Sequence, residues 1–230
     1  MQISEIKDKL RKKAVVFQTG GARPENNIFR QSWIGKVKLG YTEEACPIDV
    51  NQQPMFPLMQ LCLADLPFIP KALQNTKVLT VFISSDFLDD EEGNFCIREY
   101  SNLEDLVEKD FGNSIEGVKP FPLFPQLIEN DFPAWEDGDD ISSDVADIIL
   151  LREKGIEYRE DIYEEKEAMH KIGGYANYCR GDHAIFKAGN EFLLQIATDY
   201  KAGLEIGQAG NIYFAKNLIT NEWQALWDAY

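Results

Sequence analysis

The stretch "MHKIGGYANY" at residues 169–178 combines residue types that can carry out chemistry. His170 is one of two histidines in the chain, and a lysine and a glycine pair follow it closely. Imidazole, thiolate and carboxylate groups bind transition metals, and a histidine can act as a general base near neutral pH. The candidate ligand site therefore comprises His170, Lys171, Cys179, Asp182 and His183, with Gln60 and Gln195 as two further members.

The same residues have a structural interpretation, which we favour because their spacing matches no metal-binding motif. In it His170 caps the end of a helix, Gly173 and Gly174 form a turn, and Cys179 packs in a core. A phosphate-binding loop is disfavoured because its glycines precede a helix, whereas these follow a predicted one. Serine hydrolase chemistry is disfavoured because the chain lacks a G-x-S-x-G motif. We predict no catalytic residue, no bound metal and no cofactor.

Gln60 and Gln195 lie in two similar apolar runs, "PLMQLCL" and "FLLQIAT". A buried amide needs hydrogen-bond partners. The pair either binds a ligand at an interface between two related halves or bonds to the neighbouring backbone. We favour the backbone role because both runs keep the glutamine among apolar residues.

Carboxylates are concentrated at residues 86–94, 136–140 and 160–167. The first two stretches lack the alternating ligand positions of an EF-hand, so we interpret them as solvated loops and not as calcium sites. The predicted acidic surface comprises Asp86, Asp89, Asp90, Glu91, Glu92, Glu136, Asp137, Asp139 and Asp140. With 39 acidic against 23 basic residues, the formal charge is -16. This charge disfavours binding to nucleic acid or anionic membranes and favours a basic protein partner, although acidity can also serve solubility alone.

The elements that position these residues are predicted from periodicity and from helix and strand breakers. Ser4 followed by "EIKDKLRKKA" predicts a first helix, and "SNLEDLVEKDF" predicts a short one. Strands are predicted at "AVVF", 33–39, 58–63, 78–84 and 95–100. Prolines in 117–138 argue against a central strand there, so this segment should drape over the core. Further helices are predicted at about 142–154 and 159–169.

Three pairs of similar segments indicate an internal duplication. "SWIGKV" resembles "HKIGGY", "PLMQLCL" resembles "FLLQIAT", and "KVLTVF" resembles "GNIYFA", in the same order and with similar gaps. Two copies are too few for a solenoid, so the halves should pack around one core. We predict a single domain over 1–230, with repeat halves at about 15–116 and 156–230. A connector that is helical and rich in proline and aromatic residues joins them.

The second half, with "HKIGGY", "EFLLQIATD", "GQAGNIYF" and "NEWQALWDAY", resembles the YwqG-like proteins, a bacterial family also known as domain of unknown function 1963. The first half adds "PMFPLMQLCLADLP" and "LTVFIS", so the resemblance spans about 17–230. The chain departs from the family at 35–37, where a glycine pair and a proline are usual, and at 46–47, where tryptophan-proline is. A site built on those positions in other members is altered here.

The resemblance implies an α+β fold: two related, mostly antiparallel β halves packed as one domain with several peripheral helices. It implies no reaction and no cofactor. Some relatives resemble members of toxin and immunity neighbourhoods, which suggests an inhibitor-like binding role.

These observations favour a cytoplasmic, non-enzymatic acidic binding protein, immunity-like or regulatory, for a basic partner. The charged N-terminus and the lack of a long apolar run favour the cytoplasm, and so do four widely spaced cysteines without a CxxC pair. The alternative is a small-molecule- or metal-binding enzyme with a site between the halves near His170 and His183.

Overall fold

β-Strands form most of the regular structure in the part of the chain that the structure describes. The computed structural model describes residues 3–20, 30–89, 94–112, 114–133, 155–162, 169–179, 186 and 189–230. The strands are β1 (Lys12–Thr19), β2 (Trp33–Ile34), β3 (Leu39–Gly40), β4 (Phe56–Cys62), β5 (Val78–Ile83), β6 (Phe95–Tyr100), β7 (Val107–Glu108), β8 (Phe121–Asp131), β9 (His170–Gly173), β10 (Asn190–Ala197), β11 (Asn211–Asn217) and β12 (Trp223–Asp228). The helices are α1 (Ile3–Leu10) and the single turn α2 (Tyr158–Asp161), and 3-10 turns span Leu63–Asp65 and Lys71–Leu73.

Ten strands form one antiparallel sheet in the order β12-β11-β10-β9-β1-β8-β2-β4-β5-β6, and β3 pairs with β7 separately. The large sheet curls into a nearly closed, barrel-like form. The predicted α+β class with several peripheral helices is therefore wrong. The described residues form a mostly antiparallel β structure.

β1 and β8 lie at the centre of this sheet, and four strands extend outward from each of them. β9, β10, β11 and β12 follow from β1 in chain order, and β2, β4, β5 and β6 follow from β8 in the same way. The sheet therefore has two arms of the same topology. The duplication inferred from the sequence stays a prediction about the origin of these arms.

The proline-containing segment does not drape over the core as predicted, because β8 is a central strand that includes Pro122 and Pro125. The Leu123 amide donates to Ser32, which lies just before β2. By alternation, the Pro125 nitrogen also points to that side, beyond the end of β2. The Pro122 nitrogen points to Gly20, whose carbonyl accepts a hydrogen bond from Lys201 instead, at 2.5 Å. Both prolines thus occupy positions where the ladder requires no donor.

The helix predicted for residues 101–111 is also wrong, because a turn and the short strand β7 occupy the segment. The Asn102 side chain accepts a hydrogen bond from the Glu104 amide at 3.2 Å, which is a local alternative to helical bonding. Of the predicted apolar stripe, Leu106 is buried, Leu103 is half-buried and Val107 is exposed. The stripe therefore does not form the packed face that a helix would need.

Other predicted elements are confirmed. The first helix is α1, whose Ile6 and Leu10 pack against Phe132, Tyr158 and Ile162. The strands predicted at 78–84 and 95–100 are β5 and β6. Among the described residues, no helix is long and apolar enough to cross a membrane.

Side chains join the two ends of the sheet. Glu99 of β6 accepts hydrogen bonds from Nζ of Lys216 on β11, at 2.5 Å, and from Nε1 of Trp223 on β12, at 3.0 Å. Nearby, the rings of Phe95 on β6 and Phe214 on β11 lie 5.6 Å apart between centroids. We refer to Glu99, Lys216 and Trp223 as the closing contact, because they link the outermost strands across the interior.

Candidate functional site

β9 carries the adjacent site candidates His170 and Lys171, whose side chains point to opposite faces of the sheet. Ile172 packs in the main core, so His170, two residues away, shares the core-facing side and Lys171 points outward. His170 pairs with Phe17 of β1 and Lys171 with Val16. The predicted helix cap at His170 is wrong, because this residue begins a strand.

Both ring nitrogens of His170 are engaged. Nδ1 accepts a hydrogen bond from the Ala197 amide at 3.1 Å, so Nε2 carries the proton that points to the Asp199 carboxylate, 3.3 Å away. Burial raises the pKa of Asp199, but hydrogen bonds from His170 and from the Ala202 amide outweigh it, and the pKa falls below its usual value. The imidazole connects β9 to the end of β10, which is a structural task.

Lys171 forms a buried ion pair with Asp131 of β8. Its Nζ lies 3.2 Å from Oδ2 of Asp131 and 2.7 Å from Oδ1 of Asn177. The two charged residues are 3% and 1% exposed, so water screens them only weakly. Oδ2 of Asp131 also accepts a hydrogen bond from the Tyr175 amide at 2.8 Å. A buried charge is tolerated only with such partners.

The glycine pair that follows β9 makes these contacts possible. Gly173 and Gly174 have φ of +73° and +70°, a region that glycine enters without steric cost. A Cβ on Gly174 would collide with Oδ2 of Asp131. The chain therefore needs a residue without a side chain where it bends around this carboxylate.

A cavity of about 270 Å³ opens beside the ion pair on the outer face of the sheet. Val16, Ile128 and Met169 supply apolar walls, and Gln126, Asn177, Lys171 and Asp131 supply polar groups. The ammonium and the amides are the donors that such a cavity would offer to a small polar ligand.

Gln195 and Gln60 hold equivalent positions in the two arms. Gln195 accepts from the Asn177 amide at 2.7 Å and donates to the Met169 carbonyl at 3.0 Å. Gln60 accepts from the Leu39 amide at 3.0 Å and donates to the Gln31 carbonyl at 2.7 Å. β10 and β4 are five strand positions apart, so the two glutamines do not meet. Each one anchors the segment that follows β9 or β2 to the outer face of its own arm.

Cys179 lies in a different polar cluster, at the outer strands β11 and β12. Its amide donates to Asp228 at 2.8 Å, and the Tyr213 hydroxyl donates to the same carboxylate at 2.6 Å. Burial and the Asp228 carboxylate raise the pKa of Cys179 to about 12. The thiol is therefore protonated at neutral pH and is a poor nucleophile or metal ligand.

The remaining candidates are only partly visible. Asp182 and His183 lie outside the described residues. Within the described ranges, no group of three or more His, Cys, Asp or Glu side chains is arranged to hold a metal ion. Of the acidic surface, Asp86 is partly buried and Asp89 is exposed. Its other members, Asp90, Glu91, Glu92, Glu136, Asp137, Asp139 and Asp140, lie outside the described residues.

The structure brings Lys171 and Gln195 together on the outer face and places the neighbouring His170 on the opposite face of β9. Gln60 lies in the other arm, and Cys179 lies two residues beyond Asn177, in the cluster with Asp228. Two partners of Lys171 were not anticipated from the sequence. Asp131 ends a segment assigned to a connector, and Asn177 carried no motif. The only signal for Asn177 was its place after the second copy of the repeated turn, where Leu39 stands in the first.

A family model described as a domain of unknown function, DUF1963, matches residues 39–222. The matched range includes the whole of β9 and β10. It also includes Lys171, Asn177 and Gln126, which line the cavity. No curated protein matches the chain.

Proposed function

This chain belongs to the DUF1963 family, and we propose that it is a non-enzymatic acidic protein that binds a basic protein partner. The observation that carries the proposal is the formal charge of -16, from 39 acidic and 23 basic residues. A charge of this size attracts a basic partner over long distances and accelerates association at low ionic strength. Exposed carboxylates lie on several separate segments, among them Glu43, Asp89, Glu104, Asp105, Glu191 and Glu205.

The contacts of the candidate catalytic groups support a binding role. His170 uses both ring nitrogens within the fold, the Lys171 ammonium is paired with Asp131, and burial keeps the Cys179 thiol protonated. Among the described candidates, His170 and Lys171 are thus engaged in holding strands together, and the Cys179 thiol lacks the charge of a nucleophile. Groups committed in this way are poorly suited to proton transfer.

The immunity-like or regulatory role, the YwqG-like relationship and the cytoplasmic location belong to the same proposal. The relationship rests on the short runs quoted above from both halves. The location is supported by the four cysteines, all of which are free thiols, as is usual in a reducing compartment.

Measuring the salt dependence of partner binding tests the proposal. Partners that co-purify with the protein from its own cells would be identified, and their affinities measured at about 50 and 300 mM salt. We expect a basic partner whose affinity falls at least about ten-fold between these conditions. A partner that is not basic, or whose affinity ignores salt, would contradict the proposal.

A matched pair of variants would locate the binding surface. D90N/E91Q/E92Q neutralises three charges in the predicted acidic surface, and E43Q/E191Q/E205Q neutralises three elsewhere. The two variants have the same net charge. If the partner recognises the predicted acidic surface, the first variant should lose more affinity than the second. Equal losses would mean that the net charge alone accounts for binding.

The cavity beside Lys171 favours a second candidate function, the small-molecule- or metal-binding enzyme whose site the sequence predicts near His170 and His183. Its site would be the cavity itself, on the opposite face of β9 from the His170 ring. A volume of about 270 Å³ admits a small metabolite, and Lys171 and Asn177 offer polar contacts. Screening metabolites by thermal stabilisation tests the small-molecule version, since a ligand that binds only the folded state raises the Tm. Elemental analysis of the purified protein tests the metal version. A stabilising metabolite whose effect survives Lys171→Met would place its site elsewhere.

A further inference from the structure

A second cavity, of about 490 Å³, lies beside the segment between β2 and β3. Val37, Pro57 and Phe111 are buried residues that form its apolar walls. Three lysines and two acidic residues also line it: Lys36, Lys38, Lys109, Glu108 and Asp110.

Lys36 differs from the other two lysines in its contacts. Nζ of Lys38 is bound to Glu108 at 2.8 Å, and Nζ of Lys109 donates to the Thr42 carbonyl at 2.7 Å. Nζ of Lys36 lies over the ring of Trp33, 3.2 Å from its centroid, and forms no hydrogen bond or ion pair with any described residue. Lys36 is therefore half-buried, and within the described ranges its amine contacts the Trp33 ring but no polar partner.

The position of Lys36 depends on the turn before it. Gly35 has φ of +77°, and its amide donates to the Leu58 carbonyl at 2.7 Å. A Cβ on Gly35 would lie 2.9 Å from a methyl group of Val118. The turn is thus fixed by packing and a backbone hydrogen bond, and it carries Lys36 back over Trp33.

The surroundings of Lys36 favour the neutral amine. Burial and the Lys38 ammonium lower the pKa of Lys36 from 10.5 to about 8, while the Glu108 carboxylate acts in the opposite direction. The Trp33 ring also favours the ammonium. At pH 7, roughly a tenth of a population with a pKa of 8 is neutral, against fewer than about one in a thousand for an ordinary lysine.

We propose that Lys36 is the reacting amine of a binding site for a small aldehyde or ketone, with which it forms a reversible imine. This inference is independent of the proposed binding of a basic partner. A half-buried amine without a hydrogen-bond or ion-pair partner among the described residues, beside apolar walls, matches the requirements of imine formation. An anion site is less suited to the geometry, because two of the three lysines already have partners.

The reaction balances without a further reactant. The lone pair of the neutral Lys36 nitrogen attacks the carbonyl carbon, and the C–O double bond becomes a hydroxyl group as a proton moves from nitrogen to oxygen. The carbinolamine then loses this hydroxyl and the second amine hydrogen as water, and a C=N bond replaces the C–O bond. No electrons are gained or lost, and hydrolysis reverses the step.

Reductive trapping tests the proposal. The full chain would be incubated at pH 7 with propanal or with glyoxylate, an uncharged and an anionic aldehyde, and cyanoborohydride would convert any imine to a stable secondary amine. Peptide mass spectrometry then compares Lys36 with Lys71, an exposed lysine in the same molecule. We expect Lys36 to react at least about ten-fold faster than Lys71 with one or both aldehydes, at a rate that saturates with concentration.

Two variants test whether the surroundings of Lys36 are the cause of its reactivity. Lys38→Met removes the neighbouring positive charge and should slow labelling of Lys36 several-fold at pH 7. Lys109→Met removes an amine from the same cavity that does not influence Lys36, and should leave the rate unchanged. Labelling of Lys36 at the rate of Lys71 would contradict the proposal that Lys36 is unusually reactive. A fast labelling rate that rises linearly with aldehyde concentration, without saturation, would contradict the proposal that the aldehyde binds at a site before it reacts.

Discussion

At the scale of single residues, Asp131 organises the outer face around β9. Its carboxylate accepts from the Lys171 ammonium and from the Tyr175 amide, and it lies where a side chain on Gly174 would be. The turn, the ion pair and the cavity therefore depend on one another.

Lys171→Met should destabilise the fold by about 3–5 kcal/mol, because it leaves the Asp131 carboxylate buried without its cation. Urea denaturation measures the change. Asp131→Asn in the same chain removes the remaining charge and should recover a large part of the loss. A double variant no more stable than Lys171→Met would argue against the ion pair as the cause.

Gly174→Ala should cost more than the strain of a positive φ alone. Gly155 serves as the control, because it has the same φ of +70° but no atom within 4 Å of the place that a Cβ would occupy. Gly155→Ala should cost about 1–2 kcal/mol from backbone strain. Gly174→Ala adds a collision with Asp131, so thermal unfolding should give a clearly lower Tm for it, and equal Tm values would contradict the crowding.

At the scale of elements, the closing contact determines how the two arms meet. β6 and β12 are the outermost strands, and Glu99 accepts hydrogen bonds from Lys216, Trp223 and Thr76. Side chains here take the place of the backbone ladder that would complete a barrel.

Glu99→Gln should destabilise the protein by about 1.5–3 kcal/mol, since hydrogen bonds to a charged group are lost or weakened at one site. The control is Glu191→Gln on β10, an exposed carboxylate whose neutralisation should change stability by less than about 0.5 kcal/mol. Chemical denaturation of both variants gives the comparison. If the two substitutions change stability by similar amounts, the closing contact contributes no more to stability than an exposed surface charge.

The elements differ in how far the sequence predicts them. β5 and β6 were predictable because β-branched and aromatic residues fill short runs between turn residues. The central position of β8 was not predictable. Proline is excluded from a central strand only where a neighbouring strand needs its missing N–H, and that depends on where the neighbouring strands end. The segment 101–111 has a capping box and an apolar stripe, but of that stripe only Leu106 is fully buried by tertiary packing.

The candidate site was predictable only where its residues are neighbours in sequence. His170 and Lys171 stood out together, yet alternation along β9 sends them to opposite faces. Asp131 is 40 residues from Lys171, and no local pattern connects the two. Gln60 and Gln195 could be paired by the repeat, whereas their separation by five strand positions depends on the order of the sheet.

At the scale of the whole molecule, two carboxylates make stability depend on acid pH. Burial raises the pKa of Glu99, but hydrogen bonds from Lys216, Thr76 and Trp223 outweigh it and lower the pKa. The pKa of Asp199 is lowered in the same way by His170 and Ala202. The unfolded chain, with ordinary values of 4.5 and 3.8, therefore binds more protons than the folded chain in acid.

The stabilisation should be complete above about pH 5 and should decrease as the pH falls through the lowered folded-state values. Urea midpoints measured from pH 7 to pH 3 test this direction. Glu99→Gln should reduce the slope, whereas Glu191→Gln should leave it unchanged. A slope that Glu99→Gln does not alter would mean that other groups govern acid unfolding.

The central place of β1 has a consequence for how the protein is made. β1 ends at Thr19, but its two partners, β8 and β9, end at Asp131 and Gly173. At translation rates of roughly 5–20 residues per second, β1 leaves the ribosome on the order of ten seconds before its last partner. Its buried run "AVVF" must stay free of unwanted strand pairing throughout this interval. Late strands therefore complete the middle of the sheet, and a ribosome that stalls before residue 170 holds a chain whose earliest strand has no neighbour on one side.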